Sequence, residues 1–389
     1  MQEMRVDRSV SEFSSRFGTD LVLAGTAAID KTLLADFNVS VYEDEFNASR
    51  YGSRDKVLRF WQWKYAENPA AAGGGNFGWT ASYKDDIVGQ FHLFPATAKI
   101  GDGIYNCVWG SDLAIAKSFR NLGLSAILVQ KARDEVSGRF DAFLLGGMNE
   151  NSYGVFRKSG FLDLGKIPRF IFLYDLGAIA ELSGVPKWLA RMVWDARTFI
   201  MGRARYSAFK DTALSLREIV SFGSEFDELW TDVSGKYKCI IKRDSSFLNW
   251  RFVRQPLWGY RILSVFRTGR PRGYTVLREG SVKNGRFKGL KIGIVSDLFV
   301  DPDDTSAALY LLAGIEDHFR LSGMALIKCD LLSERLEGIL RSYGYMMTDS
   351  AHEFMLNIHG ALESGADGRA ASLRENWFIG SADTDFDFD

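Results

Sequence analysis

What most constrains the folding of this chain is that part of it occurs twice. Trp63-Lys64-Tyr65, followed by Asn68-Pro69, returns as Trp250-Arg251-Phe252, followed by Gln255-Pro256, at an offset of 187 residues. Ser111-Asp112-Leu113 returns as Ser296-Asp297-Leu298 at an offset of 185. The run GVFRKSGF from Gly154 to Phe161 returns as GILRSYGY from Gly338 to Tyr345 at an offset of 184. Any one match is weak, but three in the same order imply two copies of one unit. A chain of 389 residues is long enough for two such units with connecting segments.

Within a copy, strands and helices alternate. Phe77 to Tyr83 and Ile87 to Phe94 read as strands around an Asp85-Asp86 turn. Tyr105 to Ile115 reads as a longer strand. Gly123 to Val136 follows with Leu124, Ile127, Leu128 and Val136 at helical spacing. Asp141 to Leu145 is a short buried-strand pattern, and Asn149 to Lys158 a second helix stopped at Gly160. The second copy repeats this order: strand Leu290 to Val300, helix Ser306 to Phe319, strand Ala325 to Leu331, helix Ser333 to Ser342, stop at Gly344. Strands mixed with helices place the fold in the α/β (α+β) class, layered around a sheet.

Composition narrows the function. With 48 basic and 49 acidic side chains, the net charge of −1 gives no field for capturing nucleic acid, which is excluded as a partner. No uninterrupted apolar run reaches membrane-spanning length, and residues 1–20 have no apolar core of signal-peptide length. Cys107, Cys239 and Cys329 stand far apart and are odd in number, as expected of buried thiols in a reducing, cytoplasmic setting. None of the four His pairs at zinc spacing, so no metal is expected.

The informative stretch runs from Asp112 to Phe161. The strand Ser111 to Ile115 leads into Lys117-Ser118-Phe119-Arg120-Asn121-Leu122-Gly123-Leu124-Ser125, where a helix begins. A loop with Gly at its tightest point, opening a helix, presents several backbone N–H groups and the positive end of a helix dipole. That is an anion site suited to a pyrophosphate. A Cβ at Gly123 would hold a phosphate off the backbone, and Arg120 adds a charge-assisted donor.

These residues resemble the GNAT N-acetyltransferase superfamily. Its members carry Arg/Gln-x-x-Gly-x-Gly/Ala at this strand-to-helix turn. Arg120-x-x-Gly123-x-Ser125 matches, with Ser in the last position, and Ile115-x-Lys117-x-x-Arg120 matches the lead-in with Lys in place of Pro. The later family pattern, Asn-x-x-Ala-x-x-aliphatic-Tyr-x-Lys-x-Gly-Phe, lines up with Asn149, Ser152, Val155, Phe156, Lys158, Gly160 and Phe161. A bacterial branch with Trp-Lys-x near Asn-Pro and an Asn-Glu-Asn-Ser-Tyr helix start is more similar still. Its members often sit among exopolysaccharide or amino-sugar genes. The resemblance covers roughly residues 40–176 well and 236–358 weakly.

The resemblance implies two tandem GNAT-like domains, each a mixed, mostly antiparallel sheet flanked by helices. It implies acetyl-CoA or another acyl-CoA as donor substrate and a small-molecule amine as acceptor, an amino sugar among the choices. The thioester would lie against Asp112, Leu113, Ala114 and Ile115, and the pyrophosphate on Arg120, Asn121, Leu122, Gly123, Leu124 and Ser125. Phe156 would border the cofactor, while Asn149 and Ser152 either only cap their helix or also touch the pantetheine arm. Asp112 is the carboxylate nearest the reacting strand and so the candidate base; the recurrence of its counterpart, Asp297, favours a structural role instead. His92 is a second candidate base, with a half-buried strand His as the plainer reading. The family's acidic Tyr is here Phe156, which has no proton to give. Tyr153, one turn earlier, is the candidate substitute; otherwise water or the ammonium product serves.

The second copy departs at the decisive place. Asp301-Pro302-Asp303-Asp304-Thr305-Ser306 has three acids and no Gly where the phosphate loop should be, so this copy is not expected to bind CoA. The expected organisation is therefore an N-terminal extension over 1–35, a domain with the acyl-CoA site over 36–176, and a basic helical linker over 177–220. A degenerate domain over 221–359 and an acidic tail over 360–389 complete it; four Asp among the last seven residues suggest a solvated tail, while Trp377 and Phe378 offer a way to dock it back onto the protein. The linker's Lys187, Arg191, Arg197, Arg203 and Arg205 face a single acid, Asp195. They read either as solvated charges on a helix packed across the two domains or as a weak membrane-surface or anionic-substrate contact over 187–205. Two other readings of the whole chain are kept: a catalytically silent GNAT-fold scaffold, and a Fem-type aminoacyltransferase.

Overall fold

A computed structural model describes residues 20–42, 53–71, 77–148, 150–174, 186, 188, 192, 211–283, 285, 287–349 and 352–384. The first half runs β1 (Leu21–Gly25), α1 (Lys31–Tyr42), α2 (Arg54–Trp61), β2 (Phe77–Tyr83), β3 (Asp86–Ile100), β4 (Gly103–Ile115), α3 (Leu124–Ser137), β5 (Ala142–Gly146), α4 (Glu150–Lys158), β6 (Leu162–Lys166) and β7 (Arg169–Leu173). The second half runs β8 (Leu214–Ile219), α5 (Glu225–Ser234), β9 (Cys239–Ile241), α6 (Ser245–Leu248), β10 (Arg261–Arg267), β11 (Arg270–Ser281), β12 (Lys291–Val300), α7 (Thr305–Leu321), β13 (Leu326–Leu332), α8 (Glu334–Tyr343), β14 (Met346–Thr348) and β15 (Glu353–Ile358). It is followed by α9 (Gly360–Ser364), α10 (Ala366–Ala371) and β16 (Trp377–Gly380). Each half is a mixed sheet, mostly antiparallel, flanked by helices. The two parallel pairs within the halves, β4 with β5 and β12 with β13, are those joined through a crossover helix.

The sheets do not stay within their halves. β15, late in the chain, lies between β5 and β6 of the first half, pairing Phe354 with Gly146 and Met355 with Asp163. β7, from the first half, lies between β13 and β14 of the second, pairing Phe170 with Cys329 and Met347. The exchange is reciprocal: each half gives its last strand to the other.

The halves also meet at the repeated Trp residues. After α2 the chain widens into a π-turn over Gln62–Ala66, and after α6 it does the same over Asn249–Val253. Trp63 and Trp250 stack with ring centroids 4.9 Å apart and planes 17° apart. Each indole N–H donates to the other's carbonyl, Trp63 Nε1 to Trp250 O at 2.7 Å and Trp250 Nε1 to Trp63 O at 2.8 Å. That satisfies two buried donors and adds about 0.5–1.5 kcal/mol of ring contact beyond area burial.

Three parts of the expected organisation change. β1 pairs along its whole length with β2, so the end of the expected N-terminal extension is part of the first sheet. β8 pairs with β10, so the end of the expected linker is an edge of the second sheet. Of the basic stretch 187–205 only Trp188 and Met192 are described, and both are exposed; Lys187, Arg191, Asp195, Arg197, Arg203 and Arg205 lie outside the described residues. The expected solvated tail is folded as far as Thr384. Trp377, Phe378 and Ile379 are buried, β16 pairs with β9 and β13, and Asp383 is buried against Arg243. Apolar residues too strong to leave in water, and a buried partner for the acid, outweigh the acidic composition.

Candidate active site

The end of β4 in the first half is shaped by where its neighbour stops. β4 and β5 pair in parallel from Cys107 opposite Ala142 to Trp109 opposite Leu144. β4 then runs on to Ile115 while β5 ends at Gly146. Among the described residues, no strand pairs with β4 on that side beyond Trp109. The two strands part there, leaving a wedge lined by ladder groups with no strand partner.

On its other side β4 carries a bulge. Ala114 pairs with Gln90 and Ser111 with His92, so Asp112 and Leu113 together oppose Phe91. Asp112 sits at φ 52, a left-handed backbone that costs a non-Gly residue on the order of 1–3 kcal/mol. The bulge re-aims the Asp112 carboxylate, which collects three partners. Tyr65 Oη donates to its Oδ2 at 3.0 Å, Lys64 Nζ lies 3.6 Å away, and His92 Nδ1 lies 3.7 Å away. Gln90 Nε2 donates to the Asp112 carbonyl at 3.4 Å, and Lys64 also donates to Ser111 Oγ.

The π-turn makes this cluster possible. A regular helix turns consecutive residues to different faces, but here Trp63, Lys64 and Tyr65 are all buried. Lys64 is thereby carried inside, its ammonium 4.9 Å from the Phe94 ring, and the buried charge is offset by Asp112. His92 is 0% exposed, held edge-on between Trp61 at 5.0 Å and Tyr65 at 5.6 Å. Neither of its ring nitrogens has a hydrogen-bond partner among the described residues.

At the far end of β4 the loop takes the form expected of an anion site. Lys117–Phe119 makes a single 3-10 turn, Asn121 has φ 61, and Gly123 has φ 92 as the residue before α3. No side chain caps this helix start. The Gly123 carbonyl takes the amides of Ala126 and Ile127, while the N–H groups of Leu124 and Ser125 donate to no backbone carbonyl among the described residues. Arg120 folds back over the strand end, its Nε donating to Ile115 O at 3.1 Å.

The sequence-derived residues separate into groups. Asp112, Leu113, Ala114, Ile115, Arg120, Asn121, Leu122, Gly123, Leu124 and Ser125 form one continuous edge from bulge to helix start, and His92 reaches the same carboxylate. Asn149 lies outside the described residues, and Ser152 is half-buried on α4. Tyr153 is not brought to this edge. Its hydroxyl donates to Asp163 Oδ2 at 2.5 Å, and that bond raises its pKa above the ordinary phenol value. Asp163 is on β6, three strand spacings or about 14 Å across the sheet from β4. Phe156 is 3% exposed, packed into the core against Phe91 at 5.7 Å and Phe161 at 5.6 Å. A ring without a hydroxyl has no reason to leave that core.

Sequence reading missed Lys64, Tyr65, Gln90 and Ser111 as site residues. Lys64 and Tyr65 were visible only as repeat anchors, and no composition signal marks a buried lysine.

The second half carries the same parts, closed. β12 and β13 pair as far as Val295 opposite Cys329, but β16 then adds to β13, Gly380 opposite Leu331 and Ile379 opposite Leu332, where the strands part. Asp297 is held by Arg243, through Nη2 at 3.1 Å and Nε at 3.2 Å, and by Tyr274 Oη at 2.8 Å. Asp304 caps α7 by accepting from Ala307 N at 3.1 Å. The three acids do not stand bare. Lys236 and Arg272 hold Asp301, Lys236 and Arg335 hold Asp303, and Arg267 and Arg272 hold Asp304. Burial alone would raise the Asp304 carboxyl, but the Ala307 amide and Arg267 hold it below its usual range. The anion place at this helix start is filled by the chain's own carboxylates.

No family model matches the sequence, and no curated protein matches it. Solved structures do. A GCN5-related N-acetyltransferase from Anabaena variabilis superposes with a TM-score of 0.58 at 13% identity, covering 88% of this chain and 74% of that one. A GCN5-related N-acetyltransferase from Kribbella flavida gives a TM-score of 0.54 at 13% identity, over 90% of this chain and 72% of that one. Saccharomyces cerevisiae N-myristoyltransferase, solved with bound myristoyl-CoA and inhibitors, gives 0.55 at 12% identity, over 88% of this chain and 80% of that one. At such identities the likeness speaks for architecture, and the architecture is that of the GNAT N-acetyltransferases.

Proposed function

We propose that the chain is an acyl-CoA-dependent N-acyltransferase whose donor site lies in the first half alone. The observation that carries this is a single edge of β4. It joins an uncapped helix start at Gly123, a wedge open beyond Trp109, and a buried carboxylate on the Asp112 bulge. The pyrophosphate of an acyl-CoA substrate suits the amides at Leu124 and Ser125, the dipole of α3 and Arg120. The edge of β4 beyond Trp109, where no strand among the described residues lies beside it, presents backbone N–H groups to the thioester carbonyl, which gains negative charge in the transition state.

In this reading the amine nitrogen attacks the thioester carbon. A C–N bond forms, the C–S bond breaks, and CoA leaves as thiolate. The proton lost by the amine goes to Asp112, directly or through His92, and then to solvent, and the thiolate is protonated from solvent. No tyrosine on α4 takes the second role. Tyr65 and Lys64 are positioning residues here, since they hold the carboxylate rather than touch substrate. The second half serves as a non-binding partner that shapes the acceptor side. The acceptor is an amine, with an amino sugar of surface-polysaccharide synthesis as the working choice.

Calorimetric titration with acetyl-CoA and CoA tests the donor site, and thiol release in the presence of amines tests the reaction. One-site binding with amine-dependent thiol release is expected. Binding without release for any amine would favour a silent scaffold, a reading that the core placement of Phe156 and the remote Tyr153 hydroxyl support. No binding at all would remove the acyl-CoA reading.

A further inference from the structure

β11 and β12 are joined by a turn that carries charge of one sign. Residues 280–296 hold Lys283, Arg286, Lys288 and Lys291 and no acid. The turn closes as a hairpin, with Val282 N donating to Leu290 O at 3.0 Å and Gly289 N to Val282 O at 2.8 Å. Lys283, Lys288 and Lys291 are exposed, while Val282, Phe287 and Leu290 are half-buried among them. The ion pairs near this end among the described residues, Arg320 with Asp317 and Arg261 with Glu218, take in none of the three lysines. The chain as a whole has a net charge of −1, so this end is a local positive field on a nearly neutral protein.

Apolar groups gather at the same end. α7 finishes there, since Ala325, just past it, donates through its N–H to Lys291 O at 3.0 Å. Its last residue, Leu321, is 85% exposed. β7 finishes there too. Tyr174 N donates to Ala325 O at 2.9 Å, so the chain leaves for the basic stretch 187–205 from beside Lys291. In that stretch Trp188 and Met192 are helical, and their spacing puts them on one face, 69% and 59% exposed. One exposed apolar side chain needs no explanation. A Trp and a Met on one helix face, with Lys187 and Arg191 as sequence neighbours, have the composition of a helix that lies among lipid headgroups.

A partner for this end must be negative and must accept apolar side chains. A soluble polyanion meets only the first need, whereas a bilayer with anionic headgroups meets both. We propose that this end of the second half docks on an anionic lipid surface. The lysines of 283–291 face the headgroup charge, and Leu321, with Trp188 and Met192 of the segment that leaves beside it, enters the headgroup layer. This goes beyond the acyltransfer reading and does not depend on it.

The test sediments the full chain with vesicles of phosphatidylcholine alone, and of phosphatidylcholine and phosphatidylglycerol in equal parts, at low and at physiological ionic strength. Binding should need the anionic lipid and weaken as salt rises. Lys283→Glu alone should weaken it about fivefold or more, and Lys283→Glu, Lys288→Glu and Lys291→Glu together about a hundredfold or more. Trp188→Ala with Met192→Ala should weaken it about tenfold with the charge unchanged. These side chains are exposed, so the variants should fold, as circular dichroism checks. Lys31→Glu, Lys56→Glu and Lys238→Glu together, at exposed sites elsewhere, change the net charge equally and should leave most of the binding in place. Equal loss in that control set, binding indifferent to the anionic lipid, or no vesicle binding overturns the proposal. Capture by heparin without vesicle binding also overturns it and assigns the patch to a soluble polyanion. Acetyl-CoA affinity should be the same in every variant. Vesicle binding by a chain that takes no acetyl-CoA upholds this proposal while the acyltransfer reading falls.

Discussion

The starts of α3 and α7 occupy equivalent places in the two halves and are finished in opposite ways. Before α3 the chain puts Gly123 at φ 92 with no side-chain cap. Before α7 it puts Asp304, which caps the helix and is gripped by two arginines. The bulges differ in the same sense. Asp112 faces a lysine, a phenol and a histidine, whereas Asp297 is clamped by a guanidinium and a phenol. The difference teaches that equivalent helix starts in a duplicated fold can be finished by a left-handed glycine alone or by a carboxylate held on guanidinium groups.

The comparison breaks most sharply at the two carboxylates. Asp112→Asn should lower kcat by about 10²–10⁴ with little change in acetyl-CoA affinity, read by steady-state kinetics and calorimetry. A retained kcat would make Asp112 as structural as Asp297. Arg243→Ala should cost about 3–5 kcal/mol in denaturant unfolding, because it leaves Asp297 and Asp383 buried without their cation. A loss below 1 kcal/mol would mean that the second half's closure is not held there. Gly123→Val should weaken CoA about a hundredfold, roughly 2.7 kcal/mol, since φ 92 resists any side chain and a Cβ holds the phosphates off the amides. Circular dichroism checks that the variant is folded, and an unaltered Kd would move the donor site elsewhere. Asp304→Ala should cost about 1 kcal/mol of stability at neutral pH and leave CoA binding as it was. The Asp304 carboxyl is held below its ordinary 3.8 in the folded state. Its contribution is therefore fully present above that value and fades as pH falls through it, so parent and variant should converge in acid unfolding. Divergence at low pH would contradict the ion pairs drawn for this helix start.

Much of the fold was legible because its signals are local. The repeat anchors, the strand before Arg120, and the glycine stop at Gly344, found at φ 108, each need only a few neighbouring residues to be read. What was missed depends on distant partners. β7 and β15 have the apolar pattern of buried strands whether they pair at home or across, so nothing in residues 169–173 or 353–358 announces the exchange. Asp383 reads as part of an acidic tail until Arg243, 140 residues earlier, is placed beside it. Lys64 reads only as a repeat anchor until the π-turn carries it inward. Of the site, the backbone loop was visible and the side-chain network was not. The Tyr153 hydroxyl, too, has a partner, Asp163, that local reading does not place beside it.

The reciprocal exchange of β7 and β15 also sets a timetable for making the protein. The first half's sheet has a slot between β5 and β6 that stays empty until residues 353–358 have been made. At about 5–20 residues per second, roughly 10–40 s pass between completion of β6 at Lys166 and completion of that strand at Ile358. During that interval the first half presents two unpaired strand edges flanking a gap, a template for the wrong chain as readily as for the right one. Neighbouring nascent chains on one message carry identical β15 strands, so crossed pairing between molecules is the error this architecture invites. Slow translation or a holding chaperone would matter more to it than to a fold whose halves close one after the other.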